Sequence, residues 1–252
     1  MRNKEKEVNQ YIGGQKDLLD EKKGAIKKYK ELFLGKVSFF YFIKYEIIMM
    51  LFSWVPGALG FACRRIFFPL LFKKIGKGVV FGRNMTIRHP KKIEIGRNVV
   101  FDDNTVIDAK GENNTGLKIG DNVLIGRNTT ISCKGGDIEI GDYSNIGPSN
   151  IIISESTIKI GKYVYTAGQM YMIAGGTHSF DRTDIPIWKQ PSISKGGIIV
   201  EDDVWIGASS TILDGVKIGT GAIIGAAALV HKRIHPYTIN VGVPAEMVKK
   251  RG

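Results

Sequence analysis

The sequence predicts an all-β fold, a three-sided parallel coil of short strands, preceded by an α-helical segment that is apolar and basic. Three observations carry this prediction. Aliphatic residues recur at steps of six from residue 75 onward. Glycine is over-represented, with 31 residues in a chain of 252, against about 18 at average usage. A strongly apolar stretch precedes the repeat, yet charges and a Pro-Gly pair interrupt it before it reaches the length of a membrane-spanning helix.

The repeat is the most informative feature. Aliphatic-glycine pairs include Ile75-Gly76, Ile95-Gly96, Ile119-Gly120, Ile140-Gly141, Ile160-Gly161, Ile206-Gly207 and Ile218-Gly219. Filling in the apolar positions gives runs 75, 81, 87; 95, 101, 107; 119, 125, 131; 140, 146, 152; and 160, 166, 172. The longest run is Val200, Ile206, Ile212, Ile218, Ile224 and Val230. Thr166 breaks the aliphatic rule. Six is not a helical period, because a 3.6-residue turn would scatter these positions around the axis. Six is a multiple of two, so within strands they share one face. Three strands per coil then make a prism of stacked coils, each aliphatic directed to the axis and each following small residue turning a corner. A β-sandwich would not have to hold so strict a phase. The slips between runs place extra residues at corners.

The N-terminal third reads differently. Residues 1–78 hold 16 basic and 7 acidic side chains, whereas residues 79–252 hold 20 and 17. A nucleic-acid reading wants a basic body or a known module, and the large repeat region is nearly neutral. Residues 1–31 are polar and charge-mixed, flexible or helical, with no apolar run after a short basic start and so no signal peptide. Residues 32–74 predict short helices lying on an anionic membrane surface, with Lys44, Arg64, Arg65, Lys73 and Lys74 near headgroups. The alternatives are a helical cap packed on the protein and a true span. Cys63 and Cys133 form no C-x-x-C pair, which excludes a cysteine zinc site and fits a reducing, cytoplasmic setting. The expected location is peripheral, at the cytoplasmic face of the inner membrane.

The tandem [LIV]-G-x4 pattern resembles the hexapeptide-repeat acyltransferases, and the resemblance covers residues 75–252. Its most specific stretches are His178-Ser-Phe-Asp-Arg-Thr-Asp-Ile-Pro-Ile187, Glu201-Asp-Asp-Val-Trp-Ile-Gly-Ala208 and Val241-Gly-Val-Pro-Ala245. The combination is similar to the sugar and polysaccharide O-acetyltransferase branch. The resemblance implies a left-handed parallel β-helix over residues 75–245 with a tail at 246–252, acetyl-CoA as acyl donor, and a homotrimer. It implies an acceptor hydroxyl on a capsular, lipopolysaccharide or related glycan, free or lipid-linked. No metal and no nucleic acid are expected.

Acetyl transfer to a hydroxyl needs a base, and histidine suits it because its ordinary pKa lies near neutrality. Of His89, His178, His231 and His235, His178 sits where the beat stops, in the loop 174–199, and the family's catalytic histidine matches it. Direct attack on the thioester follows, without an acyl-enzyme. Cys133 has no adjacent base and reads as a small corner residue. By the same resemblance the Ala208 corner amide contacts the cofactor, Ala226 borders the pantetheine arm, and Lys232 and Lys249 lie toward the nucleotide end. Glu246 stands near that end where some members carry a basic residue. Trp205 points outward, walling the cofactor cleft or packing on a neighbour. Asp181 is expected to orient His178 or the sugar, and Glu155 and Asn150 to contact substrate. A sugar-nucleotide N-acetyltransferase is the main alternative and a non-catalytic scaffold the next. A zinc hydratase on this fold would need three histidines, and only His178 lies in the relevant region.

Overall fold

The chain winds from Lys74 to the C-terminus as a stack of three-stranded coils in a computed structural model that describes residues 24–252. Residues 1–23, most of the polar N-terminal segment, lie outside the described residues. The first coil comprises β1 (Lys74–Ile75), β2 (Val80–Phe81) and β3 (Thr86–Arg88), the second β4 (Ile93–Ile95), β5 (Val100–Phe101) and β6 (Val106–Asp108). The third holds β7 (Leu117–Ile119), β8 (Leu124–Ile125) and β9 (Thr130–Ser132). The fourth holds β10 (Asp137–Ile140), β11 (Asn145–Ile146) and β12 (Ile151–Ser154), and the fifth β13 (Thr157–Ile160), β14 (Tyr165–Thr166) and β15 (Tyr171–Ala174). A two-stranded excursion, β16 (Thr177–His178) and β17 (Ser192–Ile193), interrupts the stack. The sixth coil follows as β18 (Ile198–Val200), β19 (Trp205–Ile206) and β20 (Thr211–Ile212), and the seventh as β21 (Lys217–Ile218), β22 (Ile223–Ile224) and β23 (Leu229–Val230). β24 (Thr238–Val241) extends the middle sheet, and β25 (Glu246–Lys250) folds back antiparallel on it. Strands in the same place on successive coils pair in parallel, giving three sheets on three sides. This is the left-handed parallel β-helix that the resemblance implied.

The six-residue positions are the axis. All of them are buried except Ile75, half-buried at the open end of the stack. Thr166 is no exception to burial. Its hydroxyl accepts the Asn150 side-chain amide at 2.7 Å and the Gly147 backbone amide at 3.1 Å, so a polar side chain enters the axis with hydrogen-bond partners.

The glycines after the aliphatics do a different job from the one expected. Gly96, Gly120 and Gly147 keep negative φ; the left-handed residue comes two positions later, at Asn98, Asn122 and Ser149. What excludes a side chain is the next coil: a Cβ on Gly147 would lie 2.6 Å from the Thr166 carbonyl oxygen. Asparagine tolerates the left-handed turn because its short amide bonds locally.

Three helices precede the coils: α1 (Ala25–Phe33), α2 (Phe39–Phe52) and α3 (Gly57–Phe67). Ser38 caps α2, its hydroxyl accepting the Tyr41 amide at 3.2 Å. Phe68 and Phe72 continue the axis upward, with Phe72, Phe81 and Phe101 stacked at ring separations of 5.7 and 5.8 Å. The Arg64 guanidinium is buried and donates to the carbonyls of Phe52, Val55 and Phe81 at 2.7–3.2 Å, tying α3 to the first coil. His89 holds α1: its amide donates to the Phe33 carbonyl at 2.9 Å, and its ring pairs with Asp108 at 3.0 Å. The segment therefore packs on the β-helix as a cap, while much of its outer surface remains apolar and exposed.

Where the chain re-enters the stack after the excursion, acids replace glycine as the fastening. Glu201 accepts the Thr220 amide and hydroxyl at 2.8 and 2.9 Å and pairs with Lys217 at 2.7 Å. The Lys217 ammonium and the Thr220 donors pull its carboxyl down from 4.5 to about 2. A depressed carboxyl stabilises the fold above its ordinary pKa, and that contribution is lost as pH falls from about 4.5 to about 2. Because the pair is partly in water, Glu201→Gln should cost only about 0.2–1 kcal/mol at neutral pH. Chemical denaturation at stepped pH should show the gap closing through that acid window; a gap independent of pH would contradict the assignment.

Candidate active site

The loop that carries His178 is built by glycine at one end and by carboxylate at the other. Gly175 and Gly176 both take positive φ, 75° and 74°, which turns the chain off the coil after β15 in a conformation few side chains tolerate. They lie directly over Glu155: a Cβ on Gly176 would sit 3.1 Å from the Glu155 carboxyl carbon. At the returning end Asp214, buried, accepts the amides of Lys195 and Gly197, the latter at 2.9 Å. A cleft of about 120 Å³ opens between these anchors, lined by Ile173, Gly175, Gly176, Thr177, Lys195 and Asp214 among others.

His178 is half-buried on β16, opposite Ser192 of β17. Its Nδ1 faces the Gln190 carbonyl oxygen at 3.3 Å. A carbonyl only accepts, so the proton of the neutral ring belongs on Nδ1 and the Nε2 lone pair is left for chemistry. The Gln190 side chain, 3% exposed, fixes that carbonyl from within the loop. Its amide donates to the Arg182 carbonyl at 2.7 Å, and its oxygen accepts the Arg182 amide at 3.2 Å. Sequence reasoning missed Gln190 and Asp214. A glutamine or aspartate in or beside a polar loop carries no periodic signal, and only its burial distinguishes it.

The acids near His178 have partners of their own. Asp181 accepts the Ser179 hydroxyl at 2.9 Å, and Asp184 pairs with Arg182. The orienting group for His178 is therefore a backbone carbonyl and not the Asp181 carboxylate. Glu155 is half-buried beneath the loop root and paired with Lys134 at 2.6 Å. Asn150 requires correction as a substrate contact. It is wholly buried, and its side chain donates to Thr166 and accepts the Met170 amide, each at 2.7 Å. Its column of inward corner positions carries Thr105, Thr129 and Ser210 on other coils, all buried; these are struts between coils.

The remaining predicted residues gather elsewhere. Trp205 points outward, 51% exposed, on the middle strand of the sixth coil. Ala208 and Ala226 occupy the same corner on consecutive coils, set by the Ile206–Ile224 register. The Ala208 carbonyl accepts the Ala227 amide at 2.8 Å, while its own amide donates to nothing among the described residues. Lys249 is exposed on β25. Lys232 is held by Glu246 at 2.7 Å, which also lowers the Glu246 carboxyl pKa, and both line a cleft of about 330 Å³ beside β25. Within one chain His178 and the Ala208–Ala226 corner stand apart: His178 leaves after the third strand of its coil, whereas Ala208 and Ala226 lie between second and third strands. Cys133 is buried, and burial pushes its thiol up to about 12, so it holds no nucleophile at neutral pH. His89 is spent on Asp108. Among the described residues no group of three potential ligands could hold a metal.

Comparison with known proteins places this architecture. A model described as bacterial transferase hexapeptide (six repeats) matches residues 197–232, and one described as hexapeptide repeat of succinyl-transferase matches residues 116–153. A probable macrolide acetyltransferase of Lysinibacillus sphaericus is 38% identical over 43% of this chain and 68% of its own length. The dTDP-4-amino-4,6-dideoxy-D-glucose acyltransferase of Escherichia coli is 29% identical over 71% of this chain and 83% of its own. Among solved structures, a single-residue mutant of AntD, an N-acyltransferase from Bacillus cereus, in complex with dTDP-4-amino-4,6-dideoxyglucose and coenzyme A, superposes with a TM-score of 0.51. It is 25% identical over 72% of this chain and 84% of that one. The curated relatives matched first are spanned over 38%, 68% and 47% of their length. With its six-residue phase and these matches, the chain belongs to the hexapeptide-repeat acyltransferase family.

Proposed function

We propose that the protein transfers an acyl group, acetyl in the simplest case, from coenzyme A to a hydroxyl of a sugar or glycan. The observation that carries the reading is the His178 imidazole, tied through Nδ1 to the Gln190 carbonyl with Nε2 left as acceptor. In the reaction Nε2 takes the hydroxyl proton as the oxygen attacks the thioester carbonyl. The tetrahedral oxyanion collapses to expel the thiolate, and the imidazolium returns the proton to sulfur. No covalent acyl-enzyme is needed, in keeping with the buried, protonated Cys133. The Ala208 amide, which donates to nothing among the described residues, is suited to a fixed contact with the donor, and backbone donors of this kind need no reorganisation. His178→Ala should lower the chemical step by about 10²–10⁴-fold and leave binding of the donor almost unchanged. Single-turnover kinetics with acetyl-CoA would check this, and near-wild-type turnover would contradict it.

A second reading is favoured by one observation. Among the matches that cover some 70% of the chain, one is named an acyltransferase of a dTDP-linked amino sugar and another is an N-acyltransferase solved in complex with such a sugar. The acceptor would then be an amine and the product an amide. The same imidazole would serve, so chemistry must decide. A hydroxyl acceptor yields an ester that alkaline hydroxylamine cleaves, and an amine acceptor yields an amide that survives it. Loss of the label from the product on hydroxylamine treatment is the expected outcome; full retention would establish the second reading.

The separation of His178 from the Ala208–Ala226 corner gives assembly a role in the proposal. A neighbouring subunit in a homotrimer would set one chain's loop against another's corner, and the outward Trp205, Tyr163 and Tyr165, each at least half exposed, would be covered. Light scattering alongside activity should give a trimer as the active species. A fully active monomer would contradict it.

A further inference from the structure

Helix α2 has the sequence FFYFIKYEIIMMLF, apolar on nearly every side, so packing on the β-helix covers only part of it. The inner face is settled. Tyr41, Tyr45 and Ile48 are buried, the Tyr45 hydroxyl donates to the Ile87 carbonyl at 2.7 Å, and the Tyr41 hydroxyl donates to the Leu71 carbonyl. The outer face carries Phe40, Ile43, Ile47 and Met50, spaced by three and four residues and hence on one stripe, and Trp54, just past the helix, donates its indole N–H to the Met50 carbonyl at 2.9 Å. Phe40 is 85% exposed, Met50 67% and Trp54 62%. On α3 and the turn after it, Leu59, Ile66 and Leu70 are exposed at 70%, 63% and 53%. Single exposed apolar residues are ordinary, but a contiguous patch of this kind marks an interface.

Charge decides what covers it. Between residues 24 and 78 stand ten basic and two acidic side chains. One of the acids, Glu46, is engaged by the Tyr29 hydroxyl at 2.9 Å. Lys36, just before α2, and Arg65, beside Ile66, are exposed and without an acidic partner among the described residues. A second copy docked on this face would bring the same cations together, and like charges oppose such pairing. An anionic surface complements them. No helix among the described residues is long and apolar enough to cross a membrane, and an amphipathic cap can instead lie in the interface plane.

We propose that the outer face of α2 and α3 seats on the surface of an anionic lipid bilayer, with the apolar stripe at the acyl boundary and Lys36 and Arg65 among the headgroups. The proposal does not depend on the acyl-transfer reading, and its test reads lipid partition alone. The full chain is sedimented with phosphatidylcholine vesicles, with and without an equal share of phosphatidylglycerol. Partition onto the anionic vesicles should exceed that onto neutral ones by about tenfold and fall as salt screens the cations. The variant Phe40→Ser/Ile47→Ser/Trp54→Ser, checked for an unchanged melting temperature, should lose about tenfold. Should that variant fold poorly, Lys36→Gln/Arg65→Gln, which touches only exposed side chains, should lower partition by a similar factor. Undiminished binding by either folded variant, equal binding to neutral vesicles, or binding to neither would overturn the proposal. So would a soluble oligomer that the stripe variant dissolves without any binding to vesicles, which would give the face to a second copy.

Discussion

Parallel strands stacked in register on three sides allow each coil to bury its inward side chains only against the coils above and below. That constraint governs the rest of the molecule. It calls for an apolar side chain at the six-residue inward positions, and Thr166 is accommodated there with the Asn150 and Gly147 amides donating to its hydroxyl. It brings backbones of adjacent coils within a side chain's reach at some corners, so glycine follows the inward residue at Gly76, Gly96 and Gly147. It also leaves the first coil open at its end, where Phe68 and Phe72 and the helices above them close the axis. The closure is aromatic because a hexagonal ring fills a prism's cross-section with few rotatable bonds.

The same constraint explains where chemistry can reside. A side chain inside the prism is consumed by packing, and one on a flat face has no companion within its own coil. An excursion escapes both limits. The loop from Gly175 to Gly197 leaves between coils five and six without disturbing the phase, since β13 and β15 pair directly with β18 and β20. Its ends are fastened by different chemistry, a glycine pair over Glu155 and the Asp214 carboxylate under two backbone amides. Between them Gln190 holds the strand opposite His178 in place. The imidazole thus owes its orientation to a backbone carbonyl whose position is set by a buried amide side chain.

Much of this is legible in the sequence because the repeat is a local code. The inward positions, the interruption at 174–199 and the outward Trp205 all follow from counting in sixes. What counting cannot supply is any contact across coils. Asn150 falls between the inward positions Ile146 and Ile152, where a polar residue could equally face a cleft, and its bonds to Thr166 and Met170 depend on the next coil. Asp181 is close to His178 in sequence, yet the loop's own turn gives it to Ser179. The glycines read as turn formers because their φ is invisible in sequence, whereas the recurrent asparagines two positions later are the real signal of left-handed backbone. The N-terminal segment reads as either a packed cap or a surface binder; the fold gives α2 a packed face and an exposed one, so the two are not exclusive.

The central claim is that His178 presents a free Nε2 because its Nδ1 proton is held by the Gln190 carbonyl. Nitrogen-15 chemical shifts of the histidine ring measure this directly in protein labelled at both ring nitrogens. The account requires the neutral ring of His178 to carry its proton on Nδ1, with Nε2 showing the shift of an unprotonated acceptor. A neutral ring protonated on Nε2 would leave no lone pair toward the acceptor and would contradict it.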